Sequence, residues 1–171
     1  MDLVASLKKT GRSIGEALAG SDHPDILDTL KKEHDEVGAM LKDLVDSDSA
    51  AERRALFKRI RKALLPHIKA EQKVVYDAVL TLKNKEARQD GEEGYLEHKL
   101  AADTLALLGK ISNPNSPQFL AAAKVLKELV EHHVAEEERV IWVDVRRNFD
   151  AERRAEMNRA FERAKKRVRL A

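Results

Sequence analysis

The chain has 171 residues, enough for one well-buried core and too few for two comfortable domains. Charged residues make up 36% and aromatics 4%, with 7 Gly and 4 Pro, the composition of a helix-rich protein rather than a sheet protein. The absence of Cys excludes disulfides, thiolate zinc sites, iron–sulfur clusters and thiol nucleophiles, so any metal must be held by nitrogen and oxygen, and a formal net charge of +2 argues against nucleic acid as a partner.

Residues 1–22 are expected to form a short N-terminal arm. Lys8, Lys9, Arg12 and Glu16 interrupt Leu3, Val4, Leu7 and Ile14, so no secretory h-region exists there. No apolar run reaches the length needed to span a bilayer. A cytoplasmic protein without a membrane partner is expected. His23 precedes Pro24 and is assigned to a turn, with an auxiliary metal contact as the lesser alternative. A first helix is predicted from about Asp25 to Val45, with Leu27, Leu30, His34, Val37, Leu41 and Leu44 on one face.

After the turn at Ser47, Asp48 and Ser49, a second helix places Leu56, Ile60, Ala63, His67, Glu71, Val74 and Ala78 inward. Pro66 either kinks this helix, aiming His67 inward, or breaks it near Leu65. Lys83 to Gly94 is polar, contains Gly91 and Gly94, and is expected to be a long connection or a frayed helix start. A third helix carries Tyr95, His98, Ala101, Ala102, Leu105 and Leu108. The stretch Ser112 to Pro117 ends it and starts a fourth, whose inner face holds Phe119, Ala122, Leu126, Leu129, Val130, His133, Glu137, Val140 and Ile141.

From Asp150 onward there are eight basic residues against four acidic ones. This stretch is expected to be a solvated basic helix docked through Ala155, Phe161, Ala164 and Val168. The fold expected is therefore all-α: an up-and-down antiparallel four-helix bundle over residues 23–148, with the basic C-terminal helix of residues 149–171 packed on it.

Within the bundle a pattern repeats. A lone His34 is followed by His67 and Glu71; a lone His98 is followed by His133 and Glu137, at offsets of 64, 66 and 66 residues. A His and a Glu four positions apart share one helical face and can bind one metal or bridge two. Counting from the turns at 1.5 Å per residue brings the four histidines to nearly one level. Four imidazoles and two carboxylates suit a pair of borderline metal ions bridged by carboxylates. The alternative is a plain bundle of satisfied core histidines, but burying these groups without partners would cost several kcal/mol per charge. His132 falls in phase with Glu128, Glu136 and Arg139 and is assigned to the rim. Tyr76 and Trp142 are assigned to packing. Tyr95, one turn before His98, is the preferred candidate for a hydrogen bond behind the ligands or for contact with a bound oxidant.

The segments Lys32-Glu33-His34-Asp35, Leu65-Pro66-His67-Ile68-Lys69-Ala70-Glu71, Glu97-His98 and His132-His133-Val134-Ala135-Glu136-Glu137-Glu138 resemble the hemerythrin-like, or HHE cation-binding, family over about Asp25 to Val145. The resemblance implies two iron ions in an oxo- or hydroxo-bridged di-iron centre bridged by Glu71 and Glu137, and dioxygen, peroxide or nitric oxide as small ligands. The chain departs from oxygen-carrying members in two ways. Ala102 stands where they have a second His four residues after the third-helix ligand, and Glu137 stands in place of an Asp at a longer spacing. One imidazole fewer favours reaction or sensing over reversible carriage. The expected function is thus a di-iron protein, monomeric or homodimeric, that turns over or senses oxidants, with weak peroxidase or catalase-like activity. A non-catalytic iron or oxygen sensor or an iron store is the alternative, with the basic C-terminal helix as its output surface.

Overall fold

The long helices begin where a short polar side chain satisfies free N–H groups of the first turn. A computed structural model of the chain describes residues 24–170; the expected arm and His23 lie outside them. Asp25 accepts from the Leu27 N–H at 3.0 Å and starts α1, Ile26–Asp46. Ser49 accepts from the Glu52 N–H and starts α2, Ala50–Glu71, which continues through a π-helical turn, Gln72–Tyr76, into α3, Asp77–Leu80. Asn84 caps α4, Lys85–Lys110, and Ser116 caps α5, Pro117–Glu136. α5 passes through a second π-helical turn, Glu137–Ile141, into α6, Trp142–Asn148. Asp150 caps α7, Ala151–Lys165. The fold is all-helical, with no strand among the described residues, and no described helix is long and apolar enough to cross a membrane.

Two apolar clusters hold the helices together. One gathers Ile26, Leu27 and Leu30 with Val75, Tyr76, Val79, Ile141, Trp142, Met157 and Phe161. The other gathers Val37, Leu41 and Leu44 with Leu56, Ile60, Leu64, Leu105, Leu108 and Leu126. α1 runs from the first cluster to the second, α2 back to the first, α4 again to the second and α5 back. His34, His67, Glu71, His98, His133 and Glu137 sit at the changeover in each helix, a buried polar layer between two oily ones. Each fully buried large aliphatic or Phe contributes about 1.5–3 kcal/mol, which lets the fold carry a layer that alone would be unfavourable.

Of the two outcomes open at Pro66 the break is absent, since α2 continues through it. Three details depart from the sequence reading. The polar stretch expected as a connection or frayed start is ordered helix from Lys85, with both glycines inside α4. They serve close approach: a Cβ on Gly94 would lie 2.7 Å from Tyr76 Cζ, and one on Gly91 3.3 Å from Leu80 Cδ2. The inner faces after the two glutamates shift by one residue. Val75, Tyr76 and Val79 are buried where Val74 and Ala78 were expected, and Trp142 is buried while Val140 is only half-buried. At about 100° per residue Tyr76 would point about 180° away from His67 in a continuous α-helix; the wide turn adds the equivalent of one residue and swings it toward the core. Finally, the docked face of α7 is Ala155, Met157, Asn158 and Phe161, with Ala164 and Val168 only half-buried.

α7 is tied down by charge as well. Arg154 Nε donates to Asp25 Oδ2 at 2.7 Å, and the Lys165 ammonium pairs with Glu33, both on or beside α1.

Candidate metal centre

Six side chains from four helices converge in the polar layer. α1 supplies His34, α2 supplies His67 and, at its last turn, Glu71, α4 supplies His98, and α5 with its π turn supplies His133 and Glu137. The glutamates are 0% and 1% exposed, so a carboxylate charge there must be balanced inside the protein. Nε2 atoms of His34 and His67 lie 3.2 Å apart, and His67 Nε2 lies 3.0 Å from Glu71 Oε2. The same Glu71 oxygen is 3.5 Å from His98 Nε2. Glu137 Oε2 lies 3.5 Å from His34 Nε2 and 3.7 Å from His133 Nε2. Each carboxylate therefore stands between an imidazole of one half of the repeat and an imidazole of the other.

Two sets could hold a metal ion: His34, His67 and Glu71, and Glu71, His98 and His133, sharing Glu71. At metal–ligand distances of about 2.0–2.2 Å, neighbouring ligand atoms stand about 3 Å apart, the spacing found around His67 Nε2. Both Glu71 oxygens, Glu137 Oε2 and both His98 ring nitrogens are buried without a hydrogen-bond partner. Buried polar atoms are ordinarily satisfied, so these orphans fit cation ligands better than a packed core. An all nitrogen and oxygen donor set suits iron, manganese or zinc.

The electrostatics point the same way. Burial pushes His34 down to about 3 and, together with neighbouring His133, holds His98 well below its ordinary value, so both are neutral near pH 7. Neutral imidazole is the form that ligates metal. Burial opposes a charge on His67 too, but the Glu71 and Glu33 carboxylates outweigh it and raise His67 to about 9. Burial would raise Glu71, yet the facing imidazoles, His67 foremost, hold it below the usual carboxylate range. Burial and the nearby Glu71 push Glu137 well above that range. Without metal, the cluster balances its charge with protons on His67 and Glu137, the places where cations would substitute.

Behind the six stands a set of residues that also repeats. Glu33 Oε2 meets His67 Nδ1 at 3.0 Å and Glu97 Oε2 meets His133 Nδ1 at 2.8 Å, which fixes both rings with Nε2 inward. The sequence reading missed this pair, although each occupies the position before the lone His of its unit. Trp142 stacks on His34 with ring centroids 5.8 Å apart, and the Tyr76 ring lies 5.2 Å from His98. Phe161 of α7 sets its edge on His67 at 5.7 Å.

Tyr76 packs in the apolar cluster as expected and also takes the place behind the ligands expected of Tyr95. The Tyr95 hydroxyl donates to Gln72 O at 3.1 Å and Asp77 Oδ1 at 2.6 Å, facing away from the ligands. Tyr76, assigned to packing, donates its hydroxyl to Glu137 Oε1 at 3.2 Å and reaches His133 Nε2 at 3.5 Å. Only the π turn brings it there. His132 stays exposed and pairs with Glu97 at 3.3 Å, as its helical phase requires. Ala102 is half-buried one turn beyond His98 and offers no donor.

A family model, the hemerythrin HHE cation binding domain, matches residues 25–142. A DNA nickase of Nostoc sp. is 28% identical over 159 residues, covering 91% of this chain and 44% of the nickase. The chain thus spans less than half the length of that relative. No solved structure matches it significantly.

Proposed function

Because the chain belongs to the hemerythrin HHE cation-binding domain family, we propose that its polar layer holds two iron ions, with His34, His67, His98 and His133 as terminal ligands and Glu71 and Glu137 as bridges. The observation that carries this reading is the pair of buried donor sets that share Glu71 and leave carboxylate and imidazole atoms unpartnered. The alternation of the four long helices between two apolar clusters supports the up-and-down antiparallel bundle over residues 23–148, with residues 1–22 as an arm and 149–171 as the appended helix.

Bound iron would supply redox reactivity toward dioxygen, peroxide or nitric oxide. The chain's own residues set the conditions. Glu33 and Glu97 hold His67 and His133 in one ring orientation. Tyr76 keeps a proton at Oη beside Glu137, since burial raises it well above its ordinary value. A cavity of about 20 Å³ beside the imidazoles, walled by Val37, Leu64, Ile68, Ala101, Val130 and Val134, has room for about one water-sized molecule and excludes larger substrates. With Ala102 in place of a further imidazole, we assign the centre to reaction with or sensing of such small molecules, including weak peroxidase or catalase-like turnover, rather than to reversible carriage.

The alternative, a non-catalytic iron or oxygen sensor or iron store, is favoured by the contacts of α7. Phe161 on His67 and Lys165 on Glu33 tie the basic C-terminal helix to the ligands. Anaerobic ferrous loading, metal analysis and visible spectra before and after oxygen, peroxide or nitric oxide test the first reading. Two irons per chain with spectral change and peroxide consumption are expected. No consumption, with protease sensitivity of α7 changing on loading, would leave the sensor; no bound iron would remove both.

From the similarity to a DNA nickase we also propose DNA as a partner of this chain. The low net charge that argued against it is an average over the whole sequence.

A further inference from the structure

Several surface cations are paired with an acid one helical turn away, as in Lys42 with Asp46, Lys99 with Asp103 and Lys127 with Glu131. One groove gathers cations without such partners. It has a volume of about 630 Å³ and lies between the end of α2 with its π turn and the C-terminal helix and tail. Its walls carry Lys69, Lys73, Arg153, Arg163, Arg167 and Arg169 against the single acid Glu156. Glu156 pairs with Arg153 at 2.8 Å, and the other five cations are exposed with no acidic partner among the described residues.

The cations stand in two ladders. Lys69 and Lys73 are four residues apart on one wall, and Arg163 and Arg167, the latter just past the end of α7, are four apart on the other. A repeated cation spacing on both walls suits a chain of phosphates rather than a single one. The lining has no aromatic residue on which bases could stack, so the groove takes charge and shape and leaves the bases unread. Its concave form accepts a ridge, as a duplex backbone presents, better than the broad face of a lipid bilayer.

We propose that this groove binds the phosphate backbone of double-helical DNA without sequence preference. The choice of DNA rests on the partner proposed above; the groove is read from the structure alone. Lys69 and Lys73 flank Glu71 on the outer side of the same turn, and α7 carries Phe161 and Lys165 to the centre, so the groove backs directly onto the metal ligands.

The test is fluorescence anisotropy of a labelled duplex of about 20 base pairs with the full chain across a salt series. R163E/R167E and, from the opposite wall, K69E/K73E are compared with K42E/K99E, which changes the net charge equally elsewhere. Helical circular dichroism and bound iron are measured on every variant. Each groove variant is expected to lose at least tenfold in affinity and to flatten the log–log salt slope by about 2, with K42E/K99E within threefold of the parent. If the parent binds DNA and all three variants weaken it alike, or none does, the groove is overturned while DNA as a partner stands. If the parent binds no DNA, both fall. Vesicles of phosphatidylserine in phosphatidylcholine and free pyrophosphate serve as competitors; displacement of DNA by either at equal phosphate concentration would overturn the assignment to a duplex backbone.

Discussion

Replacing Gly94 by Ala inserts a methyl group 2.7 Å from Tyr76 Cζ, 2.8 Å from its hydroxyl oxygen and 2.9 Å from Cε1. Carbon atoms in good contact stand about 3.5–4.0 Å apart, so the ring must retreat by about 1 Å. It has little room, being 0% exposed and set between His98 and Tyr95, with its hydroxyl on Glu137. Overpacking of this kind costs about 1–3 kcal/mol, and drawing the hydroxyl away from buried Glu137 leaves a polar group unsatisfied at about 1–3 kcal/mol more. Against this, Gly to Ala inside a helix returns about 1 kcal/mol. The net loss is about 2–4 kcal/mol, a fall in Tm of about 4–15 °C for a chain of this size. Gly38, with nothing within 4 Å of its added Cβ, is the internal control; Gly38→Ala should raise Tm by about 1–4 °C. Thermal unfolding of the metal-free protein by circular dichroism reads both. In a Tyr76→Ala background the Gly94→Ala penalty should largely vanish. If Gly94→Ala melts at or above the parent, Tyr76 does not pack where the structure puts it, and its role beside Glu137 falls with it.

Tyr76→Phe removes the donor to Glu137 and should cost about 1–3 kcal/mol in urea unfolding of the metal-free protein, whereas Tyr95→Phe should cost under about 1 kcal/mol; the reverse order would return Tyr95 to the place the sequence assigned it. Glu33→Gln and Glu97→Gln should each weaken iron retention about 10–100-fold in competition with a chelator, and unchanged retention would reduce these carboxylates to surface groups. The metal-free fold should be most stable near pH 6.5 and lose stability on either side. His67, raised from 6.5 to about 9, contributes fully below 6.5 and loses that contribution as pH rises through 9. His34, held down to about 3, stays neutral in the fold while the unfolded chain takes up a proton below 6.5, so stability falls from there toward pH 3. Urea unfolding at a series of pH values checks both flanks; stability rising steadily through pH 10 would contradict the charge on His67.

The sequence alone carried the all-helical class and the convergence of His34, His67, Glu71, His98, His133 and Glu137, because α-helical spacing places residues three and four apart on one face and the repeat doubles the signal. Glu33 and Glu97 were within reach of the same repeat, standing just before each lone His, yet their partners lie 34 and 36 residues away and nothing local reveals them. Tertiary structure decided the rest. The π turns after Glu71 and at Glu137 have no periodic signature, and they rotate the succeeding helical turns by one residue, which brings Tyr76 in. Gly91 and Gly94 resemble loop residues until the ring they make room for is in place. The low net charge is a sum over the chain, and only folding brings Lys69 and Lys73 opposite Arg163 and Arg167, since charges about ninety residues apart meet through packing and not through order along the backbone.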